Sequence, residues 1–147
     1  MVTIPSFRDL LRYLNPAIDN HLPTTVKTIR EWVILQYDAE KDRVRQKLQS
    51  ALSKIHFTVD LWTSPNHLAI LGIIGHCIIE IGDLEHFVLA LRELDGEHTG
   101  ANQAKEVMEV INDYGIASKV GYFVMDNASN NDTLIECLSE CMYFRFR

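Results

Sequence analysis

Asp60 and Asp126 are the residues of this chain best placed to do chemistry. Asp60 closes the apolar run 55–59 and is followed by Leu61, Trp62, Thr63 and Ser64. Asp126 closes the run 120–125 and is followed by Asn127, Ala128 and Ser129. A carboxylate at the end of a buried strand is costly unless something pairs with it, and a metal ion is a common partner. A hard cation such as Mg²⁺ takes carboxylate oxygens and keeps several waters. In two-metal phosphoryl chemistry one ion activates the attacking oxygen and the other stabilises the leaving oxygen. The structural alternative is that each Asp caps its own turn, Asp60 toward Thr63 or Ser64 and Asp126 toward Ala128 or Ser129.

Three further sets of residues accompany the pair. Thr63 and Ser64 suit a turn or a phosphate contact, and Trp62 suits either the core or stacking on a base. Asn127 opens a polar stretch in which Ser129 or Asn130 is a good helix cap, and a helix N-terminus also attracts phosphate. His98, in the loop Gly96-Glu-His-Thr-Gly100, is either an exposed side chain or a phosphate-positioning one, and Thr99 is a candidate cap. Cys137 and Cys141 stand four apart, but no matching Cys or His pair lies at zinc-finger spacing, so buried thiols are expected.

The elements that position these residues follow from periodicity. Phe7, Leu10, Leu11 and Leu14 recur at helical spacing, predicting a short helix over 6–14 capped by Ser6 and ended by Asn15-Pro16. A longer helix, capped by Thr24 or Thr25, runs to about residue 50, and Lys41, Arg43, Arg45 and Lys47 give its later turns a basic surface. Strands are predicted over 55–61, 68–81 and 84–94, the last two joined by a tight turn at Gly82-Asp83. Gly72 and Gly75 inside the second strand signal a bulge or close packing. A helix over 99–114 stopped by Gly115, a strand over 120–125 and a helix over 129–141, with Leu134, Ile135 and Leu138 inward, complete the chain. The hairpin makes strands one to three antiparallel, and the helix before strand four has the length of a crossover to a parallel neighbour. A strand order of 3-2-1-4 then sets Asp60 and Asp126 side by side at a topological switch, where α/β sheets bind ligands.

Composition narrows the class. The chain has 147 residues, 47% hydrophobic and 23% charged, which suits one soluble domain with a sizeable core. No apolar run approaches the roughly 20 residues of a membrane span. The first residues lack a signal-peptide layout, and three cysteines make no paired framework, which favours the cytosol or nucleus. The net charge of −6 is uneven: residues 1–55 hold nine Lys/Arg against six Asp/Glu, and residues 56–147 hold five against fourteen. The first segment suits a polyanion, unless both are simply solvated surfaces.

Four boxes together resemble the hAT superfamily of DNA transposases (hobo, Activator, Tam3). They are Phe57-Thr-Val-Asp60-Leu-Trp-Thr-Ser64, Gly96-Glu-His-Thr-Gly-Ala-Asn102, Tyr114-Gly-Ile116 and Asp126-Asn-Ala-Ser-Asn-Asn131. The helical segment before them resembles the lead-in of fungal members. The resemblance implies a partial ribonuclease H-like α/β fold, with antiparallel strands one to three and a parallel strand four, over residues 55–147, preceded by a helical segment over 1–54. It implies an Asp-Asp-Glu triad binding Mg²⁺ or Mn²⁺, in which Asp60 and Asp126 match the first two members. Trp62, Thr63, Ser64, His98, Thr99 and Asn127 become candidate DNA-binding or positioning residues. DNA is the implied partner, with self-association in full-length relatives, and the nucleus the implied location, with the cytoplasm open to an inactive fragment. The sequence departs from the family in lacking a BED-type zinc finger, the third carboxylate and the C-terminal dimerisation region. Glu97, Glu106, Glu109, Glu136 and Glu140 do not match the triad's third position. The expectation is therefore an inactive fragment of a transposase, either a gene fragment or a decayed copy. The alternatives are a non-catalytic or host-adopted DNA-binding protein and a ribonuclease H-like nuclease.

Overall fold

The computed structural model describes residues 3–94, 99–126 and 131–145. The chain divides into two compact units, Met1–Arg43 and Val44–Arg147. In the first unit, helix α1 spans Pro5–Leu14 and a 3-10 helix spans Pro16–His21. Ser6 is not the cap of α1: Ile4 holds that place in extended conformation, and Pro5 starts the helix, where a missing N–H costs nothing. Arg8 donates to the carbonyl of Pro23 at 2.7 Å. Helix α2, Val26–Ser50, begins where the hydroxyl of Thr25 accepts the N–H of Thr28 at 3.1 Å.

The second unit is built on a four-stranded sheet of β1 (Ile55–Thr63), β2 (Ala69–Ile78), β3 (Leu84–Glu93) and β4 (Val120–Val124). The order is β3-β2-β1-β4, with β1 antiparallel to β2, β2 antiparallel to β3, and β1 parallel to β4. This is the mixed sheet that the hairpin and crossover spacing predicts. Helix α3 (Gly100–Tyr114) is the crossover, and α4 (Asn131–Arg145) follows β4. Alternation sorts the side chains. Ile55, Phe57 and Val59 of β1 and Leu71, Ile73 and Cys77 of β2 are buried on one face. They share a single core with Leu48, with Val107 and Ile111 of α3, and with Leu134 and Leu138 of α4.

Local chemistry explains the boundaries. β2 stops at Ile78 because residues 79–83 form the turn: Gly82 has a φ of 88°, its N–H reaches the carbonyl of Ile79, and the N–H of Ile79 reaches the carbonyl of Asp83. Only glycine adopts that φ without strain. Gly115, with a φ of 67°, ends α3 by donating back to Asn112 and Ile111. Gly72 and Gly75 are close-approach positions, as their place in an apolar run suggests. A Cβ on Gly72 would stand 2.9 Å from the Trp62 ring, and one on Gly75 would stand 3.1 Å from Leu89. A bulge also interrupts the β2–β3 ladder between Ile73 and Ile74.

Two side chains of α4 depart from the sequence reading. Ile135 is 37% exposed, because the inward face of α4 is set by Leu134 and Leu138. Cys141 is exposed and Cys137 half-buried, so only Cys77 is a buried thiol.

Candidate functional site

Asp60 lies within β1, on the sheet face opposite the core. Its neighbours in the strand, Val59 and Leu61, point toward the helices, so alternation sends Asp60, Thr58 and Trp62 to the other side. That face is open among the described residues: Tyr122 is 79% exposed and Val88 and Leu91 are also solvent-facing. Asp60 stands opposite Gly72 of β2, and Gly72 stands opposite Leu91 of β3. The absent side chain at Gly72 leaves room for the Trp62 ring, which is 42% exposed and therefore not a core residue. Thr58, Asp60, Trp62, Gly72, Val88 and Leu91 line a shallow depression of about 190 Å³.

Asp126 lies two residues beyond the end of β4 and is exposed. Phe57 pairs with Phe123 and Thr58 with Val124. That parallel ladder ends at Thr58–Val124, two residues before each aspartate. Both carboxylates thus belong to the same end of two adjacent parallel strands, next to the point where the sheet changes direction.

Turn capping does not occupy Asp60. The turn after β1 is closed by Ser64, whose hydroxyl accepts the N–H of Leu68 at 3.1 Å, and whose carbonyl accepts the N–H of His67. His67 takes a φ of 62° there, a conformation that sequence reasoning did not anticipate. Thr63 is exposed at the strand end. Thr99 caps α3 by accepting the N–H of Asn102 at 3.3 Å. His98 and Asn127 lie outside the described residues. Among the described residues, no group of three or more His, Cys, Asp or Glu side chains converges as a metal site.

The basic stripe of α2 is largely engaged. Arg43 pairs with Glu40 at 3.5 Å, Arg45 with Asp113 at 3.5 Å, and Lys47 with Glu85 at 2.6 Å. Sequence spacing identified these cations but not the acids that answer two of them from α3 and β3.

A second feature of the open face escaped the sequence reading. His56 of β1 pairs with His76 of β2, and His76 pairs with His86 of β3, so three imidazoles form a row across the sheet. The row continues to β4, where Tyr122 stacks on His56 with ring centres 5.4 Å apart. The three positions are 20 and 10 residues apart in the chain, and only strand register reveals them as neighbours.

A mixed sheet of three antiparallel strands and one parallel strand, joined by a crossover helix, is that of a ribonuclease H-like protein. Residues 58–145 match the model of the ZBED1 RNase-like domain, and the chain belongs to that hAT-derived family. It is 28% identical over 142 residues, 97% of its length, to tpeD of Talaromyces stipitatus, a protein named as a candidate transcriptional regulator. It is 24% identical over 135 residues, 91% of its length, to two Zea mays proteins named as candidate AC and AC9 transposases. The chain spans only 16–17% of the length of these relatives.

Proposed function

We propose that residues 55–147 supply the first two acidic positions of a hAT-type transposase centre, with Asp60 and Asp126 as the metal-holding and catalytic pair. The observation that supports this reading is the β1–β4 register, whose last pair, Thr58–Val124, lies two residues before each carboxylate on adjacent parallel strands. Asp60 adds a second support: its carboxylate closes no turn, and it lines a mostly apolar depression on the open face. Two exposed carboxylates fit Mg²⁺ or Mn²⁺, which take oxygen donors and retain water. Such ions, when bound, lower the pKa of a bound nucleophile and stabilise the leaving oxygen of a phosphodiester. In this reading Trp62, Thr63, Ser64, His98, Thr99 and Asn127 position DNA, and the protein works in the nucleus. No third carboxylate joins Asp60 and Asp126 among the described residues. On this reading the chain by itself binds metal weakly and does not cut DNA.

Mn²⁺ titration followed by amide resonance broadening tests the site. Broadening should concentrate at residues 58–64 and 124–130 and disappear in Asp60→Asn. No localised response at millimolar metal, or one indifferent to Asp60→Asn, would sink the reading.

The likeness to a protein named as a regulator favours one rival, a non-catalytic DNA-binding role. Salt-dependent DNA binding by the intact chain that survives both Asp60→Asn and Asp126→Asn would select it.

A further inference from the structure

We infer that His76 and His86 form a cross-strand site for a borderline transition-metal ion, Ni²⁺, Cu²⁺ or Zn²⁺, distinct from the aspartate pair and independent of its reading. The two residues face each other in the β2–β3 ladder. The Ile79–Asp83 pair is hydrogen-bonded, and successive pairs alternate in an antiparallel ladder, so His76 and His86 fall on a non-hydrogen-bonded pair. Facing side chains approach most closely at such pairs, with Cα atoms about 4.5 Å apart. The ring centres are 6.1 Å apart and tilted by 45°. Metal–nitrogen bonds of about 2.0–2.1 Å place two imidazoles on one ion with centres about 5–6 Å apart, so a small rotation of exposed His86 completes the grip.

The surroundings specify which ligands take part. His76 Nε2 lies 2.9 Å from the Thr58 hydroxyl. With Nε2 donating its proton to Thr58, Nδ1 keeps its lone pair for a metal, the arrangement in which metal-binding histidines are commonly held. His56, the third member of the row, is committed elsewhere. One extra residue in β4 breaks the β1–β4 ladder between Ile55 and Phe57, and His56 Nδ1 accepts the N–H of Tyr122 there at 3.1 Å. Cys77 and Glu85, adjacent in sequence to the pair, point to the core face, where Lys47 holds Glu85. The site thus has two imidazoles and open positions for water. That donor set selects ions that favour nitrogen over the oxygen-seeking Mg²⁺ and Ca²⁺. An ion there would tie β2 to β3 across the hairpin and stabilise the sheet edge.

The test uses the full chain carrying Cys137→Ser and Cys141→Ser, so that α4 thiols do not compete for metal. Calorimetric titration with NiCl₂ should show one site, and NMR should place it at residues 76 and 86. His86→Ala, at an exposed position, should weaken binding at least roughly tenfold, and Thr58→Val roughly tenfold through loss of the orienting bond. The Mn²⁺ response at residues 58–64 should persist in His86→Ala, so the two sites fail separately. Absence of Ni²⁺ binding at millimolar concentration, or full affinity in a folded His86→Ala chain, overturns the site. Full affinity in Thr58→Val overturns the part assigned to Thr58.

Discussion

Cys77 sits in the middle of β2 at 1% exposure, on the core side of the sheet. Burial raises its thiol above the ordinary range, the Glu85 carboxylate raises it further, and Lys119 and Lys47 partly offset both. A group held protonated longer in the folded state contributes stability that is complete below its unfolded pKa. That stability is lost as pH rises, because the unfolded thiol ionises first. Denaturant unfolding should therefore show stability falling above about pH 8.5, the ordinary thiol value, by more in the parent than in Cys77→Ala. Equal slopes in the two chains would contradict this. The other residue-level lesson concerns Asp60. Its two possible uses were legible, but its place was not at a strand end: β1 runs on to Thr63, so Asp60 lies within the strand. The structure separates those uses by giving the turn to Ser64 and leaving the Asp60 carboxylate on the open face.

Helix α3 shows how much an element depends on its ends. Thr99 caps its start and Gly115 stops it in a left-handed conformation. A Cβ on residue 115 would be strained by that φ and would stand 2.8 Å from Nε2 of Gln49, which donates to the carbonyl of Tyr114. Gly115→Ala should thus destabilise the fold by about 1–2 kcal/mol, and Gly115→Asn by less, since Asn tolerates this region better. The shift in denaturation midpoint at unchanged slope measures it. The consequence reaches the site, because α3 returns the chain to the parallel strand that carries Asp126. Where β4 joins β1, Gly121 has a similar importance: a Cβ there would stand 2.8 Å from Nδ1 of His56, the atom that accepts the N–H of Tyr122.

The chain divides into two compact units, and the second contains the sheet, α3 and α4, and the buried hydrophobic core of the described residues. Leu48 and Ala51 are fully part of that core, and Lys119 and Lys54 bind the carbonyls of Ala51 and Ser118. A chain restricted to residues 44–147 should accordingly keep its strand content and unfold cooperatively. Loss of the sheet's circular dichroism in that truncation would refute the autonomy of the unit. The basic stripe looks different at this scale than along the sequence. Arg45 and Lys47 answer Asp113 and Glu85 within the second unit, so these cations of the stripe already have acidic partners.

Local pattern was enough to reveal the element order, the strand order and the two aspartates on neighbouring strands. Periodicity, glycine stops and crossover length are all written in residues near one another. The four boxes added the family, because residue type at fixed spacing survives without knowledge of the fold. Tertiary structure decided what depended on register and on faces. It chose Ser64 over Asp60 for the turn, laid Trp62 across Gly72 outside the core, and turned Ile135 and Cys141 outward. It also aligned His56, His76 and His86. The physical reason is common to all of these: a one-residue slip in pairing reverses every side chain of a strand, and pairing partners lie far apart in the chain. Asp60 and Asp126 were visible as two carboxylates, but that each follows the last β1–β4 pair by two residues is a property of the ladder.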